Sequence, residues 1–132
     1  MIEFALSAPL LMLLAAGVLN YGLGLRAAIA VSAAARAGAQ YGSASIANAS
    51  DIAGMQAAAA NAAPNLTGMV VTPVQVCRCS NGSAVSCSES CASGGVAMYV
   101  EVAARATATN AFRYSGLCYT GAVSAKAVMR TR

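Results

Sequence analysis

The side chains able to do chemistry are few and unevenly placed: five cysteines, four acids and eight cations, with no histidine and no tryptophan. Cys77, Cys79, Cys87 and Cys91 fall close together, and Cys118 stands apart. Four sulfurs can hold zinc, but Cys-x-Cys and Cys-x-x-x-Cys are not the usual zinc pairs and no histidine supplements them. Neither a metal nor another cofactor is expected. In a head held outside the cytoplasm, such cysteines form disulfides. Asn81-Gly82 lies between the two pairs and is a hairpin signal. Nested pairing, Cys77 with Cys91 and Cys79 with Cys87, suits a hairpin folded about that turn; crossed pairing, Cys77 with Cys87 and Cys79 with Cys91, is the second reading. Loops of this size contribute about 2 to 3 kcal/mol when closed. Cys118 remains as a buried thiol or a bridge to another subunit.

The acids are scattered at Glu3, Asp51, Glu89 and Glu101, and the chain has no Gly-x-Ser-x-Gly and no phosphate-binding loop. Paired-carboxylate hydrolysis would need Glu89 and Glu101 in one cleft, and nothing in the pattern builds one. The chain is not expected to be an enzyme. Net charge is +4, with Arg105, Arg113, Lys126, Arg130 and Arg132 in the last third. These five are spread along strands without clustering, which suits a solvated sheet face better than a nucleic-acid track.

Glu3 points to a different chemistry, because it heads an apolar run, Phe4 to Leu25, that has no other charge before Arg26. About 20 apolar residues suffice to cross a bilayer. The run is longer than the apolar core of a secretory signal and opens with an acid where that signal carries Lys or Arg. An ionised carboxylate costs about 2.5 to 3.5 kcal/mol at the centre of such a helix, so Glu3 must stay at the interface or find a positive partner. The amine of Met1 on a neighbouring copy is such a partner.

Helical character continues through Ala27 to Gly42, which predicts one helix from residue 2 to about residue 47, on the order of 70 Å long. Too little chain remains to cover it, so its apolar half needs lipid or copies of itself. Gly38-x-x-x-Gly42, with Gly17, Gly22 and Gly24 nearer the membrane, suits close helix contact. Pro9 removes a helical hydrogen bond at the carbonyl of Ala5, as a simple kink or as a place where the helix loosens during assembly. Arg26 and Arg36 follow the apolar run, and Arg26 reads as an interfacial anchor.

Polarity rises from Ser43 to Ser50, and a Ser50-Asp51 cap predicts a short second helix over 52–63, ended by Pro64. Beyond it, 69–72 and 74–76 read as extended and split by Pro73, which puts them at a sheet edge. Alternation over 96–109 places Met98, Val100, Val102 and Ala104 opposite Tyr99, Glu101, Ala103 and Arg105. Over 122–131 it places Val123, Ala125, Ala127 and Met129 opposite Ser124, Lys126, Val128 and Arg130. The expected fold is α+β: a long N-terminal helix, residues 1–48, and a disulfide-containing head, residues 49–132, with one short helix and three or four antiparallel strands covering the second half of the long helix.

Ile2-Glu3-Phe4-Ala5-Leu6 with Pro9 and Leu10 to Leu14, then Ala34-Ala35-Arg36-Ala37-Gly38-Ala39-Gln40-Tyr41-Gly42, resembles the TadE-like family of type IV pilin-related proteins of tight-adherence pilus systems. The spacing of Cys77, Cys79 and Cys87 and the closing Val123 to Arg130 are also similar to that family. The resemblance implies an inner-membrane prepilin, trimmed by a prepilin peptidase, handled by pilus assembly machinery and then placed in or beneath an extracellular filament. It also implies that Glu3 meets the N-terminal amine of an adjacent subunit. Family precursors carry a short basic leader ending in Gly, and pilins place this glutamate fifth rather than third. The chain is therefore expected either to have been processed at an unusual point or to lack its first residues.

Together these readings predict a structural subunit of a Tad-type pilus that polymerises through its N-terminal helix for adhesion or motility. Met1, Glu3, Phe4, Pro9, Gly17, Gly38 and Gly42 are the expected contacts between copies. The alternative is a minor, membrane-anchored pseudopilin that initiates or caps assembly of another major pilin.

Overall fold

A computed structural model describes the backbone of residues 2–92, 94–107 and 121–132, and side chains from residue 7 onward. Met1, Arg113 and Cys118 lie outside the described residues, as do the side chains of Glu3 and Phe4.

Helix α1 runs Ile2–Ser43 and passes through Pro9 without interruption. At 1.5 Å per residue it is about 63 Å long. It stops short of the expected residue 47 because a serine cap intervenes. Ser45 is extended, and its Oγ accepts from the Asn48 N–H at 3.1 Å, which opens the short helix α2, Ile46–Ser50. Asp51 then caps α3, Ile52–Ala62. The helix expected over 52–63 is thus α3, with α2 an additional turn of helix in the stretch read as a break, and the cap is Asp51 rather than Ser50, because the carboxylate reaches the third residue on: its Oδ1 accepts from the Gly54 N–H at 2.9 Å.

Strands β1 (Val70–Cys79), β2 (Ala84–Val85), β3 (Val96–Thr107) and β4 (Ala122–Arg130) form an antiparallel sheet in the order β2-β1-β3-β4. β1 continues through Pro73. On its outer side β1 is paired only at Cys77 and Arg78, so Pro73, which has no N–H, faces no second ladder. The alternation read for β3 and β4 holds: Val100, Val102, Ala104 and Ala106 are buried, as is Ala127.

That inner face packs on the second half of α1. Val31, Ala34, Ala35, Gly38, Ala39 and Gly42 are buried, a stripe at the helical period. Met55 of α3 closes the core against Val31, Val100 and Val102. These bulky side chains contribute about 1.5 to 3 kcal/mol each when fully buried; the alanines around them bury much less. The C-terminus ties the layers together. The Arg132 N–H donates to the Ser43 carbonyl at 3.2 Å, satisfying one of the carbonyls that a helix end leaves open.

The disulfides correct the nested expectation. The bonds are Cys77–Cys87 and Cys79–Cys91, with Cα separations of 5.1 and 5.8 Å. Nested pairing requires one antiparallel fold centred near Ala84. The β1–β2 ladder is instead centred on Asn81, with Cys77 opposite Val85, and the loop closes through the Gly82 N–H to the Cys79 carbonyl, Gly82 having φ +86°. A second reversal follows at once, where the Glu89 N–H donates to the Ser86 carbonyl and the Ser86 N–H to Glu89 Oε2. After two reversals Cys87 lies against Cys77 and Cys91 against Cys79. The lower-numbered cysteine then meets the lower-numbered one.

Candidate assembly surface

Residues 7 to 30 of α1 include no buried side chain. Leu10 to Leu14 are 60–74% exposed, and Val18, Tyr21 and Ile29 each 70% or more. From Val31 on, the same helix is sealed by the head. The change falls within one turn and divides α1 into a bare apolar rod and a docked half. The helix is long and apolar enough to cross a membrane, and its most apolar stretch is entirely unburied. An exposed apolar patch of this extent marks a surface that something else covers.

The glycines fall on both sides of that division. A Cβ on Gly17, Gly22 or Gly24 would meet nothing within 4 Å, so these positions leave the rod's surface open to close approach by another helix. Gly38 and Gly42 face the head of their own chain. A Cβ on Gly38 would lie 3.0 Å from the Met55 carbonyl oxygen and 3.2 Å from Val102 Cγ1; on Gly42, 2.6 Å from Met55 Sδ and 2.9 Å from Val100 Cγ1. Their small size lets α1 approach its own head, and spacing alone does not say which partner a small-residue pair faces.

Asn20 was not singled out by sequence. Its Oδ1 is shielded from solvent and has no hydrogen-bond partner among the described residues, although it sits in the otherwise apolar run. Its amide is the one strongly polar side-chain group between Ser7 and Arg26 apart from the Tyr21 hydroxyl, and that isolation was the available signal. In a helix surrounded by lipid or by other helices, such an amide finds its partner on a neighbouring helix.

Residues 1–40 match the TadE-like protein family. The TadE-like segment is thus the bare rod together with most of its docked half, the same stretch that carries Glu3, Pro9 and Gly17. No curated protein and no solved structure matches the chain. Where α1 leaves the bare segment, Arg26 is exposed and borders a cleft of about 350 Å³ floored by Ala27, Ala30, Ala63 and Leu66. Arg36 is also exposed, on the docked half.

At the C-terminal end of α1 a small polar cluster fixes the turn into the head. The Tyr41 hydroxyl donates to Asp51 Oδ2 at 2.9 Å, and the Asn48 amide donates to the Tyr41 carbonyl at 3.2 Å. The Gly54 N–H and the Tyr41 hydroxyl hold the Asp51 carboxyl below its ordinary pKa. On the outer sheet face Lys126 pairs with Glu101.

Proposed function

We propose that the chain is a structural subunit of an extracellular Tad-type pilus, held in the inner membrane as a prepilin and polymerised through its N-terminal helix for adhesion or motility. The observation that carries this reading is the division of α1: a head whose buried core begins at Val31 of the helix, and before it an apolar rod with no buried side chain among the described residues. Lipid sheathes the rod before assembly. Copies of the rod sheathe it afterwards.

Glu3 neutralises the N-terminal amine of the next subunit, which lets both groups leave water and sets the stagger between helices. An exposed pair of this kind is worth only about 0 to 1 kcal/mol, whereas breaking a buried one by removing a partner costs about 3 to 5 kcal/mol. Glu3 therefore acts on register more than on adhesion between helices. Gly17, Gly22 and Gly24 allow close approach, and Asn20 hydrogen-bonds across the interface. A prepilin peptidase and the pilus assembly machinery are the partners this route requires.

Electron microscopy of native filaments, with this chain located by labelling, tests the reading. Labelling along the whole filament supports a major subunit. Labelling only at one end, on filaments built of another chain, supports the minor pseudopilin that initiates or caps assembly. Glu3→Ala is expected to abolish filaments while the anchored monomer keeps its disulfides and folded head; normal filament yield from that variant overturns the pairing.

A further inference from the structure

The sheet face turned away from α1 carries a second feature, independent of assembly. Val76, Tyr99 and Arg130 stand side by side across β1, β3 and β4, and Arg78 lies one step along β1 from Val76 on the same face. Arg78 and Arg130 thus flank the central strand, two strand spacings across and two residues along, or about 12 Å apart. Arg78, Arg130 and Tyr99 line a cleft of about 410 Å³, walled by Gly82, Val96 and Ala97, a size typical of small-ligand sites. The wall is fixed covalently, since Cys79 at its edge is bonded to Cys91. Arg78 Nη1 donates to the Gly82 carbonyl at 3.4 Å. Among the described residues no carboxylate pairs with either arginine.

The anion that would complete this site is not available from the chain itself. Of its four acids, Glu101 is taken by Lys126, Asp51 by Gly54 and Tyr41, and Glu89 by the Ser86 N–H, while Glu3 heads the apolar helix. The acidic side chains on the head of a second copy are therefore already engaged. An external anion is required. A guanidinium binds a carboxylate through two parallel N–H···O bonds, and a tyrosine offers both an apolar ring and a hydroxyl. A nucleic-acid track would need a run of free cations and several stacked aromatics; on this face Lys126 is paired with Glu101, Arg105 lies six residues or about 20 Å along β3 from Tyr99, and Tyr99 is the single aromatic on the sheet among the described residues.

We propose that the Arg78–Tyr99–Arg130 cleft binds carboxylate-bearing sugar units of an acidic polysaccharide. The two arginines hold carboxylates of the sugar chain, and Tyr99 packs between them against a ring face. The cleft lies on the sheet face opposite the one that packs on α1.

Calorimetric titration of the full, disulfide-intact chain in detergent with tetragalacturonate tests this without requiring filaments. Saturable binding is expected for the wild type, weakened about tenfold or more by Arg130→Ala, as loss of a charged hydrogen-bonding group predicts. Arg130→Lys, which keeps the charge and loses the fork, weakens it as well, and Arg132→Ala, outside the cleft, leaves it unchanged. Arg78→Ala should match Arg130→Ala; if it disturbs the hairpin, Arg130→Ala alone carries the test. Three outcomes overturn the proposal: no saturation below about 10 mM, equal loss in Arg132→Ala, or tighter binding of a single-stranded DNA oligonucleotide that Arg130→Ala also weakens.

Discussion

Gly42 shows how one missing methyl group sets the distance between the helix and the head. A Cβ there would overlap Met55 Sδ, which can move, and press on Val100 Cγ1 at 2.9 Å, which is fully buried in the central strand. Overpacking of this kind costs about 1 to 3 kcal/mol. Gly42→Ala is therefore expected to lower the unfolding free energy of the head by that amount, read as a lower denaturant midpoint at unchanged slope, while Gly17→Ala, in open space, leaves the head's midpoint unchanged. Asp51 is a second point of control, and it responds to pH. Its folded pKa is depressed, first by the Gly54 N–H and then by the Tyr41 hydroxyl. A depressed carboxylate stabilises the fold above its ordinary pKa, and that contribution is lost as pH falls through the folded value. Thermal melts of the wild type should thus drop between the ordinary value of 3.8 and more acid pH, and Asp51→Ala should begin lower and lose less over the same interval.

Among the elements, the two long strands were legible because period-two alternation has one meaning when one face is buried: Val100, Val102 and Ala104 could face only the core. The rod was legible for a similar reason, since 22 apolar residues without a charge leave few environments. The disulfide order was not, because it depends on the second reversal, and Ser86 to Glu89 contains no Gly or Pro to mark a turn. A signal was present nonetheless. Ser86-x-x-Glu89 has the spacing of a capping box, and the Glu89 carboxylate does reach back to the Ser86 N–H. Gly38 and Gly42 were legible as a close-contact pair but not as to partner. The crossed bonds are directly testable. Cleavage after Arg78 and after Glu89, without reduction, separates Cys77, the Cys79–Cys87 segment and Cys91 onto three pieces. Crossed pairing keeps all three joined as one mass; nested pairing releases the middle piece as a closed loop bonded only to itself.

At the scale of the whole molecule, α1 belongs to two structures: from Val31 onward it is part of the head's core, and before that it belongs to whatever surrounds the rod. Folding and assembly should then separate by position along one helix. Val31 is fully buried and contacts the sheet, so Val31→Ala removes two buried carbon atoms and costs about 1.5 to 2 kcal/mol of head stability. Leu13 is 67% exposed, so Leu13→Asn removes no contact within the chain and should leave the thermal midpoint of the detergent-solubilised monomer unchanged. In a sheath of identical rods the same change puts an amide against apolar neighbours without an assigned partner, which costs about 1 to 3 kcal/mol per subunit, multiplied along the filament. Filament yield should collapse for Leu13→Asn at unchanged monomer stability, and fall for Val31→Ala only in proportion to the folded fraction. If Leu13→Asn assembles normally, the rod is not sheathed by its copies, and lipid is its only lasting environment.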